Sequence, residues 1–208
     1  MAKTFKKKTR QEIDRINRMQ QKHFNELFHL FEPPLPEGVP ERLKTIVAEG
    51  KINRKDVVLD VGSGTGILIP NIREYGPSKI YACDLSEKML EQLSKNYPEV
   101  ETIMADVKDL ELADSSIDVV FINACYPNIA GKAGAFETIA GMMKKGGRMV
   151  ISHPLGKEFV KILKQNAPYP LDEFPDLSEA ENLFGPFGFN ICKFVDEPEL
   201  YILIAVKV

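Results

Sequence analysis

The spacing of apolar and polar residues divides the chain into a helical beginning and a longer alternating part. Thr9 and Glu12 form a capping box, and the apolar residues that follow recur at helical spacing up to the proline-rich link 32–38. This pattern predicts one amphipathic helix, followed by a short second helix over 40–49. The apolar positions of the first helix are Ile13, Ile16, Met19, Phe24, Leu27, Phe28 and Phe31.

From residue 57 onward, short apolar strands alternate with helical patterns. This alternation predicts an α/β fold in which a mainly parallel sheet is covered by helices on both faces. The run Ile117–Asn123 is the most hydrophobic and is expected at the centre of the sheet, whereas the tight turn 196–199 makes the last strand antiparallel to its neighbour. The predicted strands are Val57–Val61, 79–83, 101–105, Ile117–Asn123, 148–152, 189–195 and 200–208; the predicted helices are 67–75, 86–96, 131–143, 155–165 and 178–184, with a turn at Gly146 and Gly147 and a loop over 166–177.

Composition excludes several classes of protein. Of the 208 residues, 44% are hydrophobic and 27% are charged, which is typical of a folded globular domain. No apolar run approaches the roughly 18 residues of a membrane-spanning helix, and the lysine-rich beginning lacks the apolar stretch of a secretory signal. Cys83, Cys125 and Cys192 are widely spaced and include no CxxC pair, which argues against a disulfide framework or a metal site and favours a cytoplasmic location.

The net charge of −3 is unevenly distributed along the chain. Residues 1–25 carry a charge of +6, and the remaining residues carry −9. A basic arm on an acidic body can contact a polyanion such as RNA, but no nucleic-acid-reading motif accompanies it, so a solvated helix face is the favoured interpretation. The basic residues of the arm are Lys3, Lys6, Lys7, Lys8, Arg10, Arg15, Arg18 and Lys22.

A glycine-rich loop stands where the first predicted strand turns into a helix. Its sequence is Asp60-Val-Gly62-Ser63-Gly64-Thr-Gly66. Small residues there let the backbone turn sharply and let a ligand approach bare N–H and C=O groups. Glycine turns are common, so the loop alone indicates only a nucleotide-like ligand.

An acidic residue, Asp84, ends the next predicted strand. A carboxylate at this position can accept both hydroxyl groups of a ribose, as in doubly wound nucleotide-binding folds. The alternative is that Asp84 caps the helix that starts near Ser86. Ribose binding is the favoured interpretation because the glycine loop precedes this strand.

Five segments, taken in order, resemble the successive motifs of the class I S-adenosylmethionine-dependent methyltransferases. The resemblance runs from about residue 40 to 208, and the ordered series is more specific than any one motif. It implies a Rossmann-like, doubly wound, seven-stranded sheet with an antiparallel last strand, and S-adenosyl-L-methionine as the cofactor. The segments are VVLDVGSGTG at 57–66, YACDLSEKML at 81–90, MAD at 104–106, IDVVFI at 117–122 and KKGGRMVI at 144–151.

The resemblance also implies a role for each matching residue. The glycines approach the methionine part of the cofactor, Asp60 helps to place its amino group, and Asp84 accepts the ribose hydroxyls. Asp106, which without the resemblance is best interpreted as a turn or cap residue, contacts the adenine edge together with the backbone of Val107. Asn123 lies near the reacting centre. The complete set expected to bind the cofactor is Asp60, Gly62, Ser63, Gly64, Gly66, Asp84, Leu85, Asp106, Val107 and Asn123.

A nicotinamide-dependent oxidoreductase is the alternative from the same fold. Its GxGxxG fingerprint places the third glycine three residues after the second, whereas Gly66 follows Gly64 by two. The sequence contains no indication of a second ribose site or of a Tyr-x-x-x-Lys pair, which disfavours hydride transfer.

Two candidate catalytic residues follow the later strands. Ligands of open α/β sheets lie beyond the carboxyl ends of the strands, so the methyl acceptor is expected near 123–129 and 152–154. His153 could act there as a base or polar anchor, and Tyr126 as a pocket wall or hydroxyl donor. The alternatives are a helix-start histidine bonded to backbone and a tyrosine that merely forms a turn. Cys125 has no base beside it and is expected to pack.

The sequence favours a small-molecule acceptor. Asn123 is followed by Ala-Cys-Tyr-Pro and not by the Pro-Pro-Tyr of methyltransferases that modify amino groups of DNA bases or glutamine. Together with the acidic body, this disfavours DNA. An RNA or protein methyltransferase that uses the basic arm, and a non-catalytic S-adenosylmethionine-binding module, are the alternatives.

The chain is expected to consist of an N-terminal helical arm or lid over 1–38 and an S-adenosylmethionine-binding methyltransferase domain over 39–208. The arm and the loop 166–177 both carry aromatic residues, which either cover the acceptor or simply cover the sheet. The sequence leaves the oligomeric state open, a homodimer included.

Overall fold

A single seven-stranded sheet organises residues 4–208, the part of the chain that the computed structural model describes. Its strands are β1 (Val57–Val61), β2 (Lys79–Asp84), β3 (Glu101–Met104), β4 (Ile117–Asn123), β5 (Met143–His153), β6 (Phe189–Glu197) and β7 (Leu200–Lys207). The strand order is β3-β2-β1-β4-β5-β7-β6; the pairs from β3 to β5 are parallel, and β7 is antiparallel to both β5 and β6. This confirms the Rossmann-like fold with an antiparallel last strand.

The helices connect the strands and cover both faces of the sheet. The predicted central strand demonstrates this, because Val119 and Phe121 of β4 belong to one hydrophobic core and Val120 and Ile122 to the other. No helix of residues 4–208 is long and apolar enough to cross a membrane. The helices are α1 (Arg10–Leu27), α2 (Val39–Ala48), α3 (Ile69–Arg73), α4 (Glu87–Asn96), α5 (Lys132–Met142), α6 (Gly156–Asn166) and α7 (Leu177–Phe184).

The first helix begins as predicted but ends earlier. The capping box is present, since Thr9 Oγ1 accepts a hydrogen bond from Glu12 N at 3.2 Å and Glu12 Oε2 accepts one from Thr9 N at 2.7 Å. The apolar periodicity continues to Phe31, whereas α1 ends at Leu27 and Phe28–Phe31 form a 3-10 turn. Apolar spacing alone does not distinguish the two helix types over a single turn.

Two further predictions on secondary structure were wrong. The helix expected over 67–75 is only Ile69–Arg73, because the turn that begins in the glycine loop continues through residue 68 and another turn follows Arg73. The turn expected at Gly146 and Gly147 lies inside β5, where the pairing with β4 shifts register. Gly147 can stay in the strand because it has no Cβ, which would lie 2.9 Å from Lys144 O and 3.0 Å from Asp118 O.

The parallel register brings the candidate residues to one edge of the sheet. Val61 of β1 is paired with Cys83 of β2, and Asp84 is paired with Met104 of β3. The residues that directly follow these strands therefore lie side by side at their carboxyl ends, and α1 lies across the same edge.

Candidate functional site

The glycine loop 62–66 follows β1, and all three of its glycines have positive φ. Gly62 N donates to Cys83 O at 2.7 Å, which ties the loop to the end of β2. A Cβ on Gly62 would lie 2.1 Å from Cys125 Sγ, so only glycine fits beside the turn that follows β4. Cys125 therefore packs against the loop, and burial raises the pKa of its thiol.

Asp84, the last residue of β2, holds the glycine loop in place. Its Oδ2 accepts from Gly64 N at 2.9 Å and its Oδ1 from Ser86 N at 2.8 Å. Burial raises the pKa of this carboxyl, and the backbone hydrogen bonds partly offset that effect. The cap of α4 is Ser86, whose Oγ accepts from Met89 N at 3.2 Å, and not Asp84.

Asp60 is a buried carboxylate with an unused hydrogen-bonding atom. It is 2% exposed, and its Oδ2 has no hydrogen-bond partner among the described residues. Burial and the nearby charge of Asp84 raise the pKa of Asp60 to about 7. The buried Oγ of Ser63 is also without a partner in this part of the chain. Such atoms destabilise a fold unless a ligand satisfies them.

Asp106 follows β3 and is bonded from two directions. Its Oδ1 accepts from Lys108 N at 3.1 Å, which caps a 3-10 turn, so the turn-or-cap interpretation describes its local contacts. Its Oδ2 accepts from Asn17 Nδ2 of α1 at 2.6 Å, and Lys108 Nζ lies 3.5 Å from the same oxygen.

The turn after β4 contains a strained residue and an unused amide oxygen. Asn123 Oδ1 accepts from Ser152 Oγ at 3.0 Å, and the next residue, Ala124, has a φ of 53°. A positive φ is unfavourable for a residue with a side chain and is often retained at functional sites. Farther along the turn, Asn128 Oδ1 is buried and has no hydrogen-bond partner within residues 4–208.

These residues surround a cavity of about 990 Å³, its open mouth included. One predicted residue, Gly66, does not line it but packs against α4, where an added Cβ would lie 3.0 Å from Leu93 Cγ. The predicted cofactor residues that do line the cavity are Asp60, Gly62, Ser63, Gly64, Asp84, Leu85, Asp106, Val107 and Asn123.

The cavity also has walls that were not predicted residue by residue. Asn17, Gln20 and Phe24 of α1 line it, as does Phe31 in the following 3-10 turn. The amide residues that recur at helical spacing in α1 could have indicated these contacts. Without the position of the helix over the sheet, however, such a pattern is typical of a solvent-exposed helix face. The turn after β4 adds Asn128, Ile129 and Ala130.

His153 lies at the end of β5, outside the lining of this cavity. Its ring is packed beside the rings of Phe159 and Phe174, and its Nδ1 accepts from Leu155 N at 3.1 Å. Burial lowers the pKa of His153 to about 4. These are the contacts of the alternative interpretation, a histidine bonded to backbone at a helix start; a catalytic role for it stays a prediction.

Tyr126 is also buried and absent from the lining of the first cavity. Its ring stacks on Phe174 with the centroids 5.4 Å apart, and Lys132 Nζ lies 4.7 Å from its centroid. It lines a second cavity of about 770 Å³ together with Lys132 and Asp172, which form an ion pair of 2.6 Å. Its predicted catalytic role is likewise untested.

Within residues 4–208, no three His, Cys, Asp or Glu side chains are grouped so that they could hold a metal ion. The chemistry that the cavity offers consists of carboxylate oxygens, amide groups and backbone N–H groups beside apolar walls. Such a set suits a polar ligand with hydroxyl, amino and cationic groups.

Residues 59–151 match the family described as a methyltransferase domain. This stretch contains the glycine loop, Asp84, Asp106 and the turn after β4, and so all of the cavity wall except the residues of the N-terminal part. Over these residues the chain is similar to a methyltransferase domain.

Two curated relatives illustrate the similarity. An uncharacterised methyltransferase of Schizosaccharomyces pombe is 26% identical over 170 residues, which cover 78% of this chain and 66% of the relative. A demethylmenaquinone methyltransferase of Paenarthrobacter aurescens is 32% identical over 127 residues, which cover 58% of this chain and 49% of the relative. The chain therefore spans less than two thirds of the length of these relatives.

Among solved structures, the magnesium protoporphyrin IX methyltransferase of Synechocystis PCC 6803, with bound SAH, has a TM-score of 0.70 and 16% identity to this chain. The match covers 93% of this chain and 100% of that chain. At this identity the similarity shows a common fold.

Proposed function

We propose that the cavity binds S-adenosylmethionine and that the protein transfers the methyl group of this cofactor to a small-molecule acceptor. The observation that supports this most directly is the buried Oδ2 of Asp60, which has no partner in residues 4–208 and lies in the same cavity as Asp84 and Asp106. A ligand that brings a cationic amino group, a ribose and a base would use all three carboxylates.

Each carboxylate suits one part of the cofactor. Asp60 would take the amino group of the methionine part, since a cation restores the ionised form that burial disfavours. Asp84, already fixed by Gly64 and Ser86, would accept the ribose hydroxyls. Asp106 would face the adenine edge with the backbone of Val107. Leu85 and Ser63 would complete the cofactor contacts.

When bound, S-adenosylmethionine supplies a methyl group carried on a positively charged sulfur. The residues of this chain would orient the cofactor and keep the reacting groups away from water. Phe24 and Phe31 of the N-terminal part give the cavity aromatic walls. The unpaired Oδ1 of Asn128 would accept a hydrogen bond from an N–H or O–H group of the acceptor. Asn123, at the end of β4, lines the same cavity.

A small-molecule acceptor is favoured because the basic arm is folded back onto the protein. Phe5 stacks on Phe136 with the centroids 5.4 Å apart. Lys8 Nζ donates to Ala130 O at 3.1 Å and lies 3.6 Å from Asp172 Oδ2. An arm held in this way is less available to an RNA than a free basic tail. Lys3 of the arm lies outside the described residues.

We also propose that residues 1–38 act as the lid of the domain formed by 39–208. The support is that α1 and the following 3-10 turn supply four residues to the cavity wall, Asn17, Gln20, Phe24 and Phe31. Tyr169 of the loop 166–177 contacts this lid, with its ring centroid 5.4 Å from that of His23.

The three cysteines form no disulfide, in keeping with the proposed cytoplasmic location.

Isothermal titration with S-adenosylmethionine and S-adenosylhomocysteine tests the cofactor. We expect both to bind at micromolar concentrations or lower, and an absence of heat and of any thermal shift with either would contradict the proposal.

Release of S-adenosylhomocysteine across a panel of small amines, phenols, thiols and carboxylic acids then tests catalysis. Tight cofactor binding without product on any acceptor would instead support a non-catalytic binding module. Salt-dependent RNA binding that disappears on deletion of residues 1–25 would support the RNA alternative.

A further inference from the structure

Helix α1 is fastened across the carboxyl ends of the strands by four amide side chains on one face. Gln20 and Gln21 follow Asn17 by three and four residues, and Asn25 follows Gln21 by four, so all four side chains lie on the same face of the helix. Three of the four bonds end on backbone or hydroxyl groups. The bonds are Asn17 Nδ2 to Asp106 Oδ2 (2.6 Å), Gln20 Nε2 to Asn128 O (2.8 Å), Gln21 Nε2 to Leu85 O (2.9 Å) and Ser86 Oγ to Asn25 Oδ1 (2.7 Å).

Asn17 differs from the other three because its partner is a carboxylate that lines the cavity. Asn17 itself lines the cavity as well, whereas Gln21 and Asn25 do not. A neutral amide that donates to a carboxylate keeps the carboxylate an acceptor for further ligands. The bond of Asn17 therefore bears directly on what Asp106 can bind.

The two bonds to Asp106 fix its orientation from opposite ends of the carboxylate. Lys108 N holds Oδ1, and Asn17 holds Oδ2. Without Asn17, Oδ2 would keep its ion pair with the ammonium of Lys108, which lies 3.5 Å away. The side chain would then be free to turn toward Lys108 and solvent, and its remaining lone pairs would no longer be directed by α1.

We propose that Asn17 is a positioning residue that holds Asp106 in the orientation which selects a base with an amino group, and so makes the lid helix part of adenine recognition. The inference rests on the proposed function, because it takes the cofactor to be an adenosine derivative. An ionised carboxylate accepts hydrogen bonds and cannot donate them, so it suits the amino group of adenine and opposes the carbonyl oxygen of hypoxanthine. No reaction step is involved, and the readout is ligand binding.

The test compares S-adenosylhomocysteine with S-inosylhomocysteine, its deaminated analogue, by isothermal titration of the full chain. Wild type is expected to prefer the adenine ligand by at least about tenfold. Asn17→Ala should weaken the adenine ligand by about tenfold and the inosine ligand by much less, so that most of the preference is lost. Asn17→Leu is close in size and removes the donor without placing a second carboxylate against Asp106, and it should lose the preference in the same way.

Asn25→Ala is the matched control, since it also removes a bond between α1 and the sheet edge but at a residue outside the cavity. It should weaken both ligands by the same factor and leave the preference unchanged. In an Asp106→Asn background, Asn17→Ala should cause no further loss of preference, because Asn17 acts through Asp106. Circular dichroism verifies that each variant is folded.

Three results would overturn the inference. Equal weakening of both ligands by Asn17→Ala would reduce Asn17 to a lid contact, and an additive effect in the Asp106→Asn background would show that it does not act through Asp106. A preference retained in both Asn17 variants would remove the role altogether. If wild type binds neither ligand, the proposed function fails and the inference fails with it; if wild type binds both but the variants leave the preference intact, only the inference fails.

Discussion

Two groups of buried polar side chains in this protein differ in how their hydrogen-bonding atoms are used. In the cavity group, which consists of Asp60, Ser63 and Asn128, one side-chain oxygen of each residue is buried without a partner in residues 4–208. All three line the cavity at the carboxyl ends of the strands. A buried oxygen of this kind lowers stability by about 1–3 kcal/mol unless a ligand bonds to it.

In the packed group, which consists of Lys132, His153 and Tyr201, each residue has at least one hydrogen bond within the protein. Lys132 Nζ donates to Ile129 O at 2.9 Å and pairs with Asp172, and Tyr201 OH donates to Pro175 O at 2.9 Å. His153 Nδ1 accepts from the backbone of the next turn. The difference indicates that the first group serves a ligand and the second group serves the fold. Substitutions in the two groups should therefore separate binding from stability.

The largest expected effect is that of Asp60→Asn on cofactor affinity. Loss of the carboxylate should weaken S-adenosylhomocysteine binding about a hundredfold, because the amino group of the ligand loses a buried charged partner. The free energy of unfolding of Asp60→Asn at pH 8 should be higher than that of wild type. The raised pKa of Asp60 means that the folded state disfavours the ionised carboxylate, and the substitution removes this unfavourable contribution. Titration calorimetry and urea unfolding measure the two quantities.

Asp114→Asn is the matched control for Asp60, because Asp114 is exposed and lies outside the cavity. It should change neither quantity. A fall in stability of Asp60→Asn with unchanged affinity would place Asp60 in the group that serves the fold and break the comparison.

The next effect is the dependence of stability on pH at His153. Burial lowers its pKa to about 4 from the ordinary value of 6.5, so the unfolded chain takes up a proton at a higher pH than the folded protein. The stability that this residue contributes is complete above pH 6.5 and is lost as the pH falls toward 4. Between pH 7 and 4.5 the loss should be about 2 kcal/mol greater in wild type than in His153→Gln.

Urea unfolding of wild type and His153→Gln at the two pH values measures this difference. The titration of Asp60 contributes equally to both proteins and therefore cancels in the comparison. The affinity of His153→Gln for S-adenosylhomocysteine at pH 7 should stay within about twofold of wild type. A large loss of affinity would move His153 into the cavity group and revive its predicted catalytic role.

A smaller effect is expected from pH on cofactor binding. The pKa of Asp60 is about 7 because of burial and Asp84, and a bound ammonium group would lower it. Binding should therefore release a proton below pH 7, and affinity for S-adenosylhomocysteine should rise about tenfold from pH 6 to pH 8. Titrations in two buffers with different ionisation enthalpies measure the proton count. Asp60→Asn should abolish the dependence; if it persists there, another group is responsible.

The smallest effect is that of Tyr126→Phe. The ring stacking on Phe174 and the contact with Lys132 do not require the hydroxyl group. Affinity for the cofactor should be unchanged, and the free energy of unfolding should fall by less than about 1 kcal/mol. Methyl transfer assayed on any acceptor that wild type uses completes the test: a specific loss of turnover with normal binding would identify Tyr126 as catalytic.

Much of the cavity could be predicted from sequence because its residues lie at or just beyond the carboxyl ends of parallel strands. Asp60 and Asp84 belong to local patterns in which the strand and the polar residue are adjacent in the chain, and parallel strands end at the same edge of the sheet. Asp106 was singled out only by the resemblance to methyltransferases. The same locality explains the error at Gly146 and Gly147, since a glycine pair that usually forms a turn is here absorbed into β5 by a register shift that depends on β4.

The apolar pattern of the chain by itself determined the order of strands and helices along the chain and the central place of β4. The glycine loop pointed to Asp84, and the resemblance to methyltransferases pointed to Asp60 and Asp106. Tertiary structure alone decided which residues of α1 meet the cavity, because Asn17 and Asp106 are 89 positions apart and nothing in an amide on a helix surface indicates its partner. It also decided that His153, at the end of β5, packs beside Phe159 and Phe174, although its place in the sequence left open a role as a base or polar anchor near the acceptor. Local patterns place a residue at an end of a strand, but only the packing of distant segments decides whether its polar atoms bond to the protein or remain for a ligand.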